Sequence, residues 1–122
     1  MHALIVDDST TIRMILKAHL KKLGFEVTEA INGRDALERL TEAGRFDLVM
    51  VDWNMPEMDG ITFLREVRAD GQYDALPVMM VTTNSELANV AQALEAGANE
   101  YIMKPFTAEM LKEKLELLGV CD

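Results

Sequence analysis

Five short apolar runs recur along the chain, and four of them end at a polar or charged side chain. The runs cover residues 3–6, 25–30, 48–51, 78–81 and 101–103. The second run is mixed, whereas the others are apolar at nearly every position. Continuous apolar runs of this length are typical of strands that are covered on both faces, as in a parallel sheet.

Between these runs the apolar residues recur at spacings of three and four, which predicts helices. The clearest stripe consists of Ile12, Ile15, Leu16, Leu20 and Leu23, and Gly24 ends it. The four later helices are indicated by Leu37 and Leu40 before Gly44, by Phe63, Leu64 and Val67 before Gly71, by Leu87, Val90, Ala91 and Leu94 before Gly97, and by Leu111, Leu115 and Leu118 before Gly119. Strict alternation of five strands and five helices predicts one α/β domain over residues 1–122, a (βα)5 parallel sheet with helices on both faces.

Chemically useful side chains follow the ends of four predicted strands. Asp7 and Asp8 follow the first strand, and Asp52, Thr82 and Lys104 follow the third, fourth and fifth. The second strand ends in nothing comparable. Because ligands of open α/β sheets bind beyond the carboxyl ends of the strands, we expect these residues to share one site.

The residue types at this edge indicate phosphoryl transfer. Three carboxylates placed together repel one another unless a cation shares the site, and an all-oxygen ligand set favours Mg²⁺. Lys104 adds a second positive charge, and Thr82 adds a hydroxyl. Catalysis of phosphoryl transfer depends mainly on positioning and charge neutralisation, which such a group of residues supplies. Asp52, on the central strand, is the expected nucleophile, since carboxylates form aspartyl-phosphates.

Each of these residues also has a simpler structural interpretation. Asp8 or Ser9 can cap the first helix, and Asp59 before Gly60 is typical of a turn and a helix start. Thr82 alone would be an ordinary strand residue, and Lys104 before a proline would simply end a strand. Only their joint placement at the strand ends favours a site.

Composition narrows the function classes. The 12 basic and 21 acidic residues give a net charge of −9, which disfavours binding to nucleic acid or to an anionic membrane. The start of the chain does not resemble a signal peptide, and no apolar stretch is long enough to cross a bilayer. Cys121 is the single cysteine, so an internal disulfide is impossible, and we expect a cytoplasmic protein.

Four motifs together resemble the receiver domains of two-component response regulators, and most closely the single-domain chemotaxis regulators of that family. The motifs are Val6-Asp7-Asp8-Ser9, the segment 52–60 that begins Asp-Trp-Asn and ends Asp-Gly, Val81-Thr82-Thr83, and Lys104-Pro105-Phe106. The similarity extends from about residue 3 to residue 118. It implies a doubly wound, flavodoxin-like sheet with the strand order 2-1-3-4-5.

The resemblance also implies a role for each site residue. Asp52 would be the phosphoacceptor, Lys104 would bind the phosphoryl oxygens, and the hydroxyl of Thr82 would turn toward them after transfer. The implied magnesium ligands are Asp7, Asp8, Asp52 and the backbone carbonyl of Asn54. The Lys104–Pro105 peptide bond would be cis.

The same resemblance implies a switch and an output face. Tyr101 would be the aromatic residue that moves inward with Thr82, and the output face would comprise the fourth helix, the fifth strand and the fifth helix, including Val90 and Lys114. Thr83 belongs to the switch and stands where the family commonly has a small alanine, so it would narrow access to the phosphoryl group. Asn84 stands where relatives often carry an acid.

The expected partners are a sensor histidine kinase as phosphodonor and a downstream protein such as a flagellar motor switch protein. The chain ends soon after the fifth helix, so we expect the output to be binding itself, by a monomer. A phosphorelay shuttle to a histidine phosphotransfer protein and a phosphorylation-independent interaction domain remain alternatives. A phosphatase is disfavoured, because Asn54 replaces the acid such enzymes carry two residues after the nucleophile.

Overall fold

The computed structural model of the protein describes residues 1–42, 45–55, 58–82 and 87–120. The predicted alternation of strands and helices is confirmed. The strands are β1 (His2–Val6), β2 (Glu26–Ala30), β3 (Leu48–Asp52), β4 (Val78–Thr82) and β5 (Glu100–Met103). The helices are α1 (Thr10–Lys22), α2 (Gly33–Glu42), α3 (Gly60–Ala69), α4 (Leu87–Ala96) and α5 (Ala108–Leu117), and a 3₁₀ turn covers Gly71–Tyr73. Outside the described residues lie Gly44, Thr83, Asn84 and Cys121.

The five strands form one parallel sheet in the order β2-β1-β3-β4-β5, as the resemblance implied. Every pairing is parallel, and β3 is the central strand. Val6 of β1 pairs with Val51 of β3, and Asp52 pairs with Val81 of β4. The carboxyl ends of β1, β3 and β4 therefore meet at one edge.

Side chains of the sheet alternate between two cores, one on each face. Leu4, Val49 and Met80 belong to the core that α2, α3 and α4 cover. Ile5 and Met50 belong to the opposite core, which α1 and α5 cover. All five residues of β3 and of β4 are buried, which explains why their sequences read as continuous apolar runs. None of the described helices is both long and apolar enough to cross a membrane.

Side-chain caps fix where three of the helices begin. Ser9 accepts a hydrogen bond from the Ile12 amide at 3.3 Å, so it caps α1, one of the two predicted alternatives. Asp59 caps α3 in the same way, at 2.9 Å from the Thr62 amide, and its interpretation as a helix start is confirmed. Gly24 follows α1 with a φ of 92°, a conformation that glycine adopts without the steric cost of a side chain.

The apolar stripes predicted for α1 and α4 are partly wrong. Ile15 of α1 is 46% exposed, while Leu16 and Leu20 are buried. In α4 the buried residue is Ala93, and its neighbour Leu94 is 45% exposed. Gly71 does not end α3, because α3 stops at Ala69 and Gly71 opens the 3₁₀ turn.

Candidate functional site

Three carboxylates meet at the carboxyl edge of the sheet. Asp7 directly follows β1, and Asp52 ends the neighbouring strand β3. The next residue after Asp7, Asp8, lies on the same side, and one oxygen from each carboxylate lies within 4.8 Å of the others. Asp7 and Asp52 are buried, whereas Asp8 is exposed. The cluster therefore reaches from the protein interior to solvent.

Lys104 places its ammonium group between the two buried carboxylates. Its Nζ atom lies 3.1 Å from Oδ1 of Asp52 and 3.6 Å from Oδ2 of Asp7. The backbone amide of Lys104 donates to the carbonyl of Thr82 at 2.7 Å, which ties the end of β5 to the end of β4. Thr82 is buried. The peptide bond between Lys104 and Pro105 is cis, as the resemblance implied.

The two oxygens of Asp7 have different surroundings. Oδ1 accepts a hydrogen bond of 2.8 Å from the amide of Ser9. Oδ2 is buried and has no hydrogen-bond partner, since its separation from Lys104 exceeds hydrogen-bond length. A buried acceptor without a partner is uncommon in folded proteins, and it is a common mark of a position at which an ion binds.

The crowding of charges shifts the proton affinities. Burial, and then the charge of Asp7, raises the pKa of Asp52 from 3.8 to about 6, although Lys104 offsets part of the effect. Burial also raises the pKa of Asp7. Burial alone would lower the pKa of Lys104, but the hydrogen bond to Asp52 and the charges of both aspartates outweigh it, so the pKa of Lys104 is raised. One lysine therefore does not neutralise the site.

The donor set fits a hard divalent cation. Its ligand atoms are carboxylate oxygens, one of them buried without a hydrogen-bond partner, and the third carboxylate is exposed. Mg²⁺ binds to one or two carboxylates and retains several waters, so a half-open cluster of this kind suits it. The residues that would hold the ion are Asp7, Asp8 and Asp52.

The N-terminus of α3 packs closely against the acceptor strand. The amide of Gly60 donates to the carbonyl of Trp53 at 3.0 Å, immediately after Asp52. A Cβ atom at position 60 would collide with the backbone carbonyl of Asp52. Gly60 is thus required by the close approach of two backbones, a role that the turn signal alone did not reveal.

A second polar cluster lies beside β5. The ammonium group of Lys114 stands 4.5 Å from the centroid of the Tyr101 ring and 2.9 Å from a carboxylate oxygen of Glu100. Tyr101 is partly buried, and so is Val90 on α4. Lys114 therefore contacts Tyr101 directly, which brings two of the predicted output residues together.

Comparison with known proteins identifies the family. The family model of the response regulator receiver domain matches residues 3–116, nearly the whole chain. The chain is a response regulator receiver domain. A CheY1 chemotaxis protein of Helicobacter pylori (strain J99) is 48% identical over 124 residues, which cover 100% of both chains. A CheY homolog of Campylobacter jejuni is 48% identical over 117 residues, which cover 95% of this chain and 90% of that protein.

A solved structure extends the likeness to three dimensions. The receiver domain matches the chemotaxis response regulator CheY4 of Vibrio cholerae with a TM-score of 0.89 and 36% identity. The match covers 96% of this chain and 97% of that chain. The doubly wound, flavodoxin-like fold is thus the fold of chemotaxis regulators of this family.

The receiver domain brings most of the predicted site residues together. Asp7, Asp8, Asp52 and Lys104 share one site, and Thr82 adjoins it through the Lys104 amide. Their individual chemical roles remain predictions. So does the role of the Asn54 carbonyl, since Asn54 is an exposed residue of the loop after β3.

Sequence reasoning missed the side chains that support the site of the receiver domain. Arg13 donates to the Asp7 carbonyl, and Glu29 of β2, a strand from which nothing was expected, pairs with Arg13. The signal available was a single arginine within the apolar stripe of α1. Its partner lies 16 residues away on another element, so no local spacing could reveal it.

Proposed function

We propose that this receiver domain is a stand-alone two-component response regulator that accepts a phosphoryl group on Asp52 from a sensor histidine kinase. Phosphorylation then changes the face formed by α4, β5 and α5, and that face binds a downstream protein in chemotaxis or motility. The observation that carries the proposal is the position of Lys104 Nζ, 3.1 Å from Asp52 within a cluster of three carboxylates.

The acceptor chemistry follows from the surroundings of Asp52. With a pKa of about 6, this carboxylate is ionised at about pH 7, and its proton affinity makes it a better nucleophile than an ordinary aspartate. A carboxylate oxygen of Asp52 attacks phosphorus, an acyl phosphate forms, and the bond to the donor's nitrogen or oxygen breaks. Lys104 is positioned to hold the phosphoryl oxygens, where its charge favours the transition state.

Magnesium binding is part of this proposal. Asp7, Asp8 and Asp52 would hold the ion with the carbonyl of Asn54, and the bound ion would neutralise charge on the phosphoryl oxygens. The buried Oδ2 atom of Asp7, which has no hydrogen-bond partner, supports the assignment. Binding of the cation would also relieve the repulsion that raises the pKa of Asp52.

The proposed switch runs from Thr82 to Tyr101. Phosphorylation adds a charge of about −1.5 to −2 beside Lys104, which favours new hydrogen bonds from the Thr82 hydroxyl. To convert a mostly inactive population into a mostly active one, the phosphoryl contacts must favour the active state by about 5 kcal/mol. The backbone bond between Lys104 and Thr82 supports this route, because the phosphoryl-binding lysine and the threonine cannot move independently.

Phosphorylation is tested by incubation with Mg²⁺ and acetyl phosphate, followed by intact mass spectrometry. We expect one phosphoryl adduct that requires Mg²⁺ and is absent from Asp52→Asn. Asp59→Asn is the matched control, because asparagine also caps a helix and the change removes a nearby carboxylate outside the cluster. An adduct that persists in Asp52→Asn would assign the acceptor elsewhere, and no adduct in the wild type, even with a cognate kinase, would favour a phosphorylation-independent interaction domain.

The output is tested with the phosphorylated protein and a purified flagellar motor switch protein. We expect phosphorylation to increase binding, and we expect Thr82→Ala to be phosphorylated normally while losing that increase. Wild-type binding by phosphorylated Thr82→Ala would exclude the proposed route through Thr82. Rapid transfer of the phosphoryl group to a histidine phosphotransfer protein, without motor binding, would instead identify a relay shuttle.

A further inference from the structure

The segment that carries Asp7 and Asp8 is held at several points. The amide of Asp7 donates to the Ala30 carbonyl at 3.2 Å, and Oδ1 of Asp7 accepts from the amide of Ser9. The carbonyl of Asp7 accepts a hydrogen bond of 2.7 Å from Nη1 of Arg13. The backbone amide, the backbone carbonyl and one side-chain oxygen of Asp7 are therefore all fixed, and only Oδ2 is left for a ligand.

Arg13 is itself locked in place. Its side chain is only 12% exposed, and Nε donates to a carboxylate oxygen of Glu29 at 3.1 Å. Nη2 lies 3.4 Å from the hydroxyl of Thr10, the first residue of α1. All three nitrogens of the guanidinium group thus have acceptors, on β2, on α1 and on the loop between β1 and α1. A planar group bound on three sides fixes the direction of each bond, which a flexible ammonium group cannot do.

We propose that Arg13 is a positioning residue for the cation site, and that Glu29 orients it. Arg13 holds the Asp7 carbonyl, and thereby directs Oδ2 of Asp7 toward the carboxylates of Asp8 and Asp52. The inference rests on the proposed function, because it concerns the affinity of the same acidic cluster for Mg²⁺. Groups that orient ligand residues in this way commonly change metal affinity by about 10-fold to 100-fold when they are removed.

Positioning and simple charge predict effects of opposite sign. Arg13 is a cation near an acidic cluster, so its charge alone opposes the binding of Mg²⁺, and its removal would strengthen binding. Loss of positioning would weaken binding, since Asp7 could then turn its unpartnered oxygen away. Lys17 supplies the matched comparison, because it also pairs with Glu29, at 3.5 Å, but no recorded contact joins it to Asp7.

The experiment measures Mg²⁺ affinity of the full chain by titration of Trp53 fluorescence, with calorimetry as a second readout. Trp53 is the only tryptophan and directly follows Asp52. We expect Arg13→Met to bind Mg²⁺ about 10-fold more weakly than the wild type. We expect Arg13→Lys to lose less and Lys17→Met to change affinity by less than about twofold, because neither change removes every support of the loop.

Unfolding in urea with EDTA separates positioning from a general loss of structure. A purely structural role would lower the stability of Arg13→Met in EDTA while leaving its Mg²⁺ dissociation constant unchanged, and that result would overturn the inference. Unchanged or tighter Mg²⁺ binding by Arg13→Met would also overturn it, even if the wild type is phosphorylated normally. If Arg13→Met does not fold, a dissociation constant of Arg13→Lys equal to that of the wild type overturns it in the same way. Failure of the wild type to bind Mg²⁺ at all would remove the metal site and both proposals with it.

Discussion

The two edges of the sheet each hold a charged group away from water, and the two groups have opposite surroundings. At the amino-terminal edge, the guanidinium group of Arg68 donates four hydrogen bonds of 2.7 to 2.9 Å. Its acceptors are the carbonyls of Gly97, Tyr73 and Leu76 and the side-chain oxygen of Asn99. Arg68 thereby joins α3 to the end of α4 and to the loop before β4.

At the carboxyl edge, the charges are not satisfied. Asp7 and Asp52 share a single lysine, and a buried oxygen of Asp7 has no hydrogen-bond partner. Their mutual repulsion is visible in the raised pKa of Asp52. A charge with all its partners stabilises the fold, whereas charges that lack partners cost stability and leave binding capacity for a ligand. The contrast separates a structural role from a functional one without reference to any relative.

The largest expected effect is the loss of Arg68, which should lower the free energy of unfolding by about 3 kcal/mol in Arg68→Ala. The cause is that three backbone carbonyls and one amide oxygen lose a charged donor. Urea unfolding monitored by Trp53 fluorescence measures it. Arg65→Ala, an exposed arginine on the same helix, is the control and should cost less than about 0.5 kcal/mol.

The comparison also requires that Arg68→Ala leave the opposite edge intact. Its Mg²⁺ affinity should equal that of the wild type under conditions in which both are folded. Equal stability losses in Arg68→Ala and Arg65→Ala would mean that the four hydrogen bonds contribute nothing net. A large loss of Mg²⁺ affinity would show that the two edges are coupled.

The second effect has the opposite sign: Asp52→Asn should be more stable than the wild type. In the folded protein the pKa of Asp52 is about 6, above its unfolded value of 3.8, so the folded state binds the proton more tightly. The contribution of Asp52 to stability is therefore greatest below pH 3.8, falls as the pH rises to about 6, and stays low above that. At about pH 7.5 in EDTA, removal of the charge should raise the free energy of unfolding by about 2 kcal/mol.

The pH dependence distinguishes this cause from a packing effect. The stability difference between Asp52→Asn and the wild type should shrink toward zero at about pH 4, where Asp52 is largely protonated in the folded state. Asp59→Asn should show no comparable gain. Saturating Mg²⁺ should reduce the advantage of Asp52→Asn, since a cation that binds the folded wild type stabilises it. A gain that is independent of pH would point to packing instead.

The fold was predictable from the sequence because burial on both faces leaves a simple pattern. β3 and β4 are buried at every position, so their runs are apolar at every position up to Asp52 and Thr82. The inward face of α4 was not predictable, because leucine, valine and alanine occur around most of that helix. The small Ala93 packs inward and the larger Leu94 does not, which depends on the space left by α3 and the sheet.

The site was predictable to the extent that parallel strands bring their ends together. That rule gathered Asp7, Asp8, Asp52 and Lys104 without any measured distance. It could not find Arg13, whose partners are a backbone carbonyl and a glutamate on another strand. Contacts between elements depend on the packed arrangement of the helices, and the sequence spacing of either partner carries no trace of them.

The smallest expected effect tests whether the stabilising role of a satisfied charge declines with exposure. Lys114 has partners, as Arg68 does, but it makes one ion pair with Glu100 and one contact with the Tyr101 ring. Its side chain is 28% exposed, so solvent and salt screen both interactions. Lys114→Met should therefore cost only about 0.5 to 1 kcal/mol at low salt, and less at high salt. The exposed Lys112→Met is the control for the loss of one positive charge from the same helix. A double-mutant cycle with Glu100→Gln measures the coupling, and a coupling as large as the whole loss in Arg68→Ala would break the comparison, because it would make a half-exposed pair equal to a fully satisfied interior charge.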